Sequence, residues 1–170
     1  NAYHVFYHPA SLALDATALL DGATISGGRA NGLSPHQEGG GIYNDSSSPT
    51  ITNCTLVDNS ASYGGGIYNL FAFPAILDCT LAHNSASVGG GAIFSTDRCS
   101  PLIAYCAIIN NSSEAYGGGI LNDLLSSAAI THCTVASNSA SFGGGIFNRE
   151  ASPTISCSTL FGNSATFGGG

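Results

Sequence analysis

Apolar residues in this chain come in short alternating runs, not at helical spacing. Ile51, Cys54 and Leu56 are followed by Ile67, and the same order returns as Ile76, Cys79, Leu81 and Ile93. A period of two turns one face of an extended segment toward a core. Recurrent Gly triplets and a Pro in nearly every unit exclude helices of useful length. The pattern predicts three short strands per unit. The first holds "GGIYN", the second Pro-x-Ile at Pro49, Pro74, Pro101 and Pro153, and the third Cys-x-Leu and its variants. Two residues, such as Thr52 and Asn53, form a tight corner between the second and third.

The runs belong to an internal repeat. "NSASYGGGIYN" (Asn59–Asn69) returns as "NSASFGGGIFN" (Asn138–Asn148), and Gly-Gly-Gly begins at Gly39, Gly64, Gly89, Gly117, Gly143 and Gly168. The steps are 25, 25, 28, 26 and 25 residues. A looser copy occupies Leu20 to Gly28. A unit of this length with three strands is one coil of a solenoid in which each strand pairs with its copy in the next coil. The expected fold is all-β, a right-handed parallel β-helix (β-solenoid). About six coils at ~4.8 Å each make a rod roughly 30 Å long. Residues 1–170 form one segment, with looser first coils over 1–38 and regular repeats over 39–170. Both ends read as cuts through a longer array.

Stacking turns each recurring position into a ladder. Asn59, Asn84, Asn111, Asn138 and Asn163 form the most regular polar one, suited to left-handed turns and to amide bonds from rung to rung. Cys54, Cys79, Cys106 and Cys133 form a second, with Ala23 on the rung below and Ser158 on the rung above. Six Cys in a short secreted chain would suggest disulfides, but these share the alternation of Leu56 and Leu81, which favours small buried hydrophobes. The last unit moves its thiol to Cys157, at the corner. Cys99 falls in a loop and is the thiol expected to be reactive. No paired CxxC spacing supports zinc, and no metal or cofactor is expected.

Two readings of the glycines stand. With Ile67 pointing inward, Gly64, Gly66 and Tyr68 face outward, giving a bare backbone shelf bordered by Tyr43, Tyr68, Phe94, Leu121 and Phe147. Such a shelf lets another chain or a sugar ring approach closely, and is the candidate binding or assembly face. Alternatively the glycines open a tight corner and the aromatic residues pack under loops.

Composition narrows the function. Three Arg, no Lys and ten Asp plus Glu give a formal charge of -7, which leaves little to neutralise nucleic-acid phosphates or to hold an anionic membrane. Only 8% of residues are charged, so Ser, Thr and Asn carry the surface, as is common outside cells. No apolar run approaches the ~18 residues of a membrane span.

Catalysis is the weaker expectation. Arg29, Arg98 and Arg149 lie in different coils, His4, His8, His36, His83 and His132 show no paired spacing, and neither the calcium nonapeptide nor a nucleophile motif occurs. Asp45, Asp97, Asp123 and Glu150 all follow the "GGIYN" strand and are expected to line up along one edge. That edge is a solvated turn or, in the alternative, a glycosidic or calcium site.

The ladders resemble the β-helical passenger repeats of polymorphic outer-membrane proteins and related bacterial surface proteins, whose paired motifs are "GGAI" and "FxxN". "GGAI" is intact at Gly90–Ile93, and "LVDN", "LAHN", "IINN", "VASN" and "LFGN" stand for the second motif. The family's Phe is absent. The resemblance implies a secreted or surface-exposed protein of a bacterial or archaeal cell, used in adhesion or assembly, with no catalytic residues. The expected function is therefore a structural or adhesive rod whose partners are copies of itself or cell-surface glycans. The alternative is a domain that binds or cleaves carbohydrate.

Overall fold

Each repeat unit folds as one coil because its apolar alternation is too short to bury itself alone and needs the copies above and below. In a computed structural model, which describes residues 3–167, 24 short strands form four parallel sheets of six strands each. The first sheet holds Phe6–His8, Ile42–Asp45, Ile67–Leu70, Ile93–Thr96, Ile120–Asp123 and Ile146–Arg149. The second runs from Leu19–Asp21 through Thr50–Thr52 to Thr154–Ser156, and the third from Thr24–Ser26 through Thr55–Val57 to Thr159–Phe161. One 3-10 turn, Ala10–Leu12, is the helical content of the described residues. The triplet beginning at Gly168 lies outside them.

The fourth sheet was not anticipated, and it makes four strands per coil instead of three. It contains Arg29–Ala30, Ser60–Tyr63, Ser85–Gly89, Ser112–Ser113, Ser139–Phe142 and Ser164–Phe167. These are the "SASY"-type segments. Their inward residue is Ala61, Ala86 or Ala140, so no apolar alternation marks them as strands. Little room exists for more. A Cβ on Gly65 would lie 2.3 Å from the Ser85 carbonyl oxygen, where the glycine corner passes against this sheet. Pro and Cys, placed inside strands by the sequence pattern, lie just before them: strands begin at Thr50, Ala75 and Leu102, and at Thr55, Thr80 and Ala107.

The core is three stacked apolar columns. Ile42, Ile67, Ile93 and Ile120 come from the first sheet, Ile51, Ile76, Ile103 and Ile130 from the second, and Ile25, Leu56, Leu81 and Ile108 from the third; all are buried. Pairing is in register throughout these columns, for example Ile76 with Ile51 and Ile103. Burying each such side chain contributes about 1.5–3 kcal/mol.

Register also corrects the repeat. Gly89 pairs with Tyr63 and bridges to Tyr116, across a bulge following Ala86. The glycine equivalent to Gly64 is therefore Gly90, not Gly89. Gly39, Gly64, Gly90, Gly117 and Gly143 all have φ between 59° and 67°. A Cβ on Gly64 would also meet the Ile67 carbonyl oxygen at 2.3 Å, so this corner requires glycine on both counts. The triplet recurs because the chain must turn left-handed and then press its backbone against the next coil.

Candidate functional site

The aromatic and glycine face is not an open shelf. Tyr43, Tyr68, Phe94 and Leu121 are buried together outside the main core, with Phe147 half-buried beside them. Tyr68 is only 8% exposed. The cover comes from the end of the fourth sheet. Tyr63 stacks on Phe94 with ring centroids 5.6 Å apart, and Tyr116 stacks on Phe147 at 5.2 Å. Tyr68 meets Tyr43 and Phe94 edge-on at 5.1 and 5.3 Å. These are favoured aromatic geometries. Burial pushes the Tyr68 hydroxyl well above the usual phenol range, with the nearby Tyr43 and acidic groups adding to the effect. Gly64 and Gly66 are buried as well, and a Cβ on Gly66 would approach the Ala92 carbonyl oxygen at 2.6 Å. Tyr43, Tyr68, Phe94, Leu121 and Phe147 thus form a second hydrophobic seam that ties the first sheet to the fourth.

The asparagine ladder lies inside the coil. Asn59, Asn84, Asn111 and Asn138 are buried, and Asn163 is half-buried on the last rung. The three middle rungs, Asn84, Asn111 and Asn138, make the same four bonds. The Asn84 amide nitrogen donates to Asn111 Oδ1 at 3.0 Å and to the Leu56 carbonyl at 2.9 Å. Its Oδ1 accepts from the Asn59 backbone N–H at 3.1 Å and from Asn59 Nδ2 at 3.0 Å. The corner leaves backbone groups that no strand neighbour can reach, and the amide satisfies them in the dry interior.

A second ladder escaped the sequence reading. Asn44 Nδ2 donates to Asn69 Oδ1 at 2.9 Å, Asn69 Nδ2 to Ser95 Oγ at 3.2 Å, and Asn122 Nδ2 to Asn148 Oδ1 at 2.9 Å. Its signal was present in the recurring third letter of "IYN", "IFS", "ILN" and "IFN".

The thiols divide by exposure. Cys54, Cys79, Cys106 and Cys133 are buried and free, each donating to a carbonyl two residues earlier, as from Cys79 Sγ to the Leu77 oxygen at 3.1 Å. On the rung above, Ser158 Oγ takes the sulfur's place and accepts from the Cys133 N–H at 3.0 Å. Cys99 is not a reactive loop thiol. It is fully buried, accepts the Ala72 N–H at 3.1 Å and donates to the Thr96 carbonyl at 2.9 Å. Burial pushes its pKa up to about 11, away from thiolate chemistry. The exposed thiol is Cys157, stacked in register beside His132.

The expected acidic edge is interrupted. Asp45 pairs with Leu70, Leu70 with Thr96, and Asp123 with Arg149, so the column is not a run of like charges. Asp123 is 2% exposed and held by the Arg149 guanidinium, whose Nε donates to Oδ1 at 2.8 Å. It is a buried carboxylate closed over by a half-exposed guanidinium, not a free carboxylate. Asp97 and Glu150 line one notch, two rungs apart with Leu124 between them. With Phe71, Arg98, Leu124 and Leu125 they line an open notch of about 440 Å³ built from four successive turns after the first sheet. A smaller hollow of about 220 Å³ lies on the serine face of the fourth sheet, beside Arg29. Among the described residues no three His, Cys, Asp or Glu side chains gather as a metal site, and no helix is long and apolar enough to cross a membrane.

The family model of the right handed beta helix region matches residues 12–169. The chain belongs to that family. Its coil is accordingly right-handed, and the match spans the looser first coils as well as the regular repeats. No curated protein and no solved structure gave a match. The likeness to outer-membrane passenger repeats rests on the short motifs alone, all of which encode corners and ladders of the coil.

Proposed function

We propose that this right-handed β-helix is a stiff structural or adhesive rod of an extracellular or surface protein, working by geometry and not by turnover. The observation that carries this reading is the unbroken asparagine ladder from Asn59 to Asn163. It locks five successive coils through amide bonds of 2.9–3.1 Å along one line parallel to the rod. Bending or shearing one coil against the next would break several buried hydrogen bonds together, each costly to leave unmade. The aromatic seam adds a second line of coil-to-coil contact on the outside. A surface of Ser, Thr and Asn with few charges suits an extracellular setting. Adhesion and assembly are the roles that the resemblance to passenger repeats implies.

The reading is tested by electron microscopy and by assays on a panel of neutral and acidic polysaccharides. Straight rods or end-to-end filaments, with no release of reducing ends, are the expected result. Turnover of any polysaccharide that falls when Glu150 is changed to Gln would overturn it in favour of a carbohydrate-cleaving domain.

A further inference from the structure

The turn notch after the first sheet differs in kind from the other corners. Each corner of the coil needs a left-handed residue, and elsewhere the chain mostly supplies Gly or a small or polar residue such as Asn53, Asp58, Asp78, Asn110 or Ser137, with Tyr105 a single bulky exception that stacks on His132. Around the notch all six lining residues are left-handed, with φ from 45° to 66°, and three of them are Phe71, Leu124 and Leu125. Bulky apolar residues are poorly suited to this conformation, which costs roughly 1–2 kcal/mol each. They do not recover that cost by burial, since Phe71 is 52%, Leu124 42% and Leu125 62% exposed. Strain of this kind collects where a surface is used. The charged groups at the same notch are Asp97 and Glu150 against Arg98, on a chain of net charge -7.

We propose that the notch is a docking site for a partner-protein segment presenting a Lys or Arg beside an apolar side chain. The apolar side chain would cover Phe71, Leu124 and Leu125, and the cation would sit between Asp97 and Glu150. Charge complementarity selects this occupant. An anionic ligand meets two carboxylates and an acidic protein, while a bare cation leaves the Leu and Phe walls uncovered. The volume suits one or two side chains, not a folded surface. The proposal does not depend on the mechanical role of the rod.

Fluorescence anisotropy with the whole chain and three labelled probes decides it: a blocked Leu-Lys-Leu peptide, its Leu-Glu-Leu counterpart, and maltohexaose. The basic peptide alone should bind. Changing Asp97 to Asn or Glu150 to Gln should weaken it about two- to fivefold, as for partly exposed charge pairs. Leu125→Ser should weaken it similarly, and Arg98→Ala should tighten it by removing a competing cation. Equal binding of maltohexaose or of the acidic peptide would overturn the proposal. So would basic-peptide binding that Leu125→Ser leaves unchanged, which would mean bulk attraction to an acidic protein, or an absence of binding at millimolar peptide.

Discussion

The two polar ladders stand in the same coils and use the same residue type, yet only one is continuous. The ladder from Asn59 to Asn163 sits at a corner, where each amide also bonds backbone groups of the coil before it. The ladder of Asn44, Asn69, Ser95, Asn122 and Asn148 sits within strands whose backbone is already paired, so its amides bond mainly one another. The second tolerates an interruption. Ser95 accepts from Asn69 but is too short to reach Asn122, whose Oδ1 is left buried without a partner. Corner asparagines are thus part of the backbone hydrogen-bond network, whereas strand asparagines are interchangeable fillers of a polar column.

Substitutions should separate the two in order. Asn111→Ala removes an acceptor for Asn84 N–H and Nδ2 and donors to the Leu81 carbonyl and Asn138. Unmade buried bonds cost about 1–3 kcal/mol each, so a loss of more than about 3 kcal/mol is expected in denaturant titration. A loss below about 1 kcal/mol would remove the distinction between the ladders. Asn69→Ala should cost less, about 1–2 kcal/mol, because only side-chain partners are stranded. If the two losses are equal, the corner has no special role. Ser95→Asn should have the smallest effect and the opposite sign. Its amide would donate to Asn122 Oδ1 as Asn44 does to Asn69, adding about 1 kcal/mol if the added volume fits. A destabilised variant would mean that this rung is too narrow for Asn.

Much of this architecture could be read directly because its cause is periodic. Ile51, Cys54, Leu56 and Asn59 recur at nearly constant steps, and a parallel solenoid converts each recurrence into a stacked column without further information. The fourth strand could not be read, since Ser60–Tyr63 turns only Ala61 inward and so resembles a loop. The misaligned triplet at Gly89 has a similar cause: the letters match, but hydrogen-bond register follows the bulge.

By itself, the sequence determined the all-β class, the coil length, the core columns and the corner asparagines. Each of these follows from local alternation or repetition, and neighbouring coils only copy it. The tertiary structure decided everything that depends on what covers a residue from another sheet or coil. Tyr68 alternates outward and would be exposed on an isolated sheet, but Tyr63 and Phe94 close over the seam. Cys99 belongs to a loop by its sequence and to the interior by its contacts with Ala72 and Thr96. Asp97 and Glu150 flank Leu124 at one notch, while Asp123 is withdrawn into a pair with Arg149. Alternation sets the side of a strand on which a residue lies, and only the packing of one turn over another sets whether that side is open.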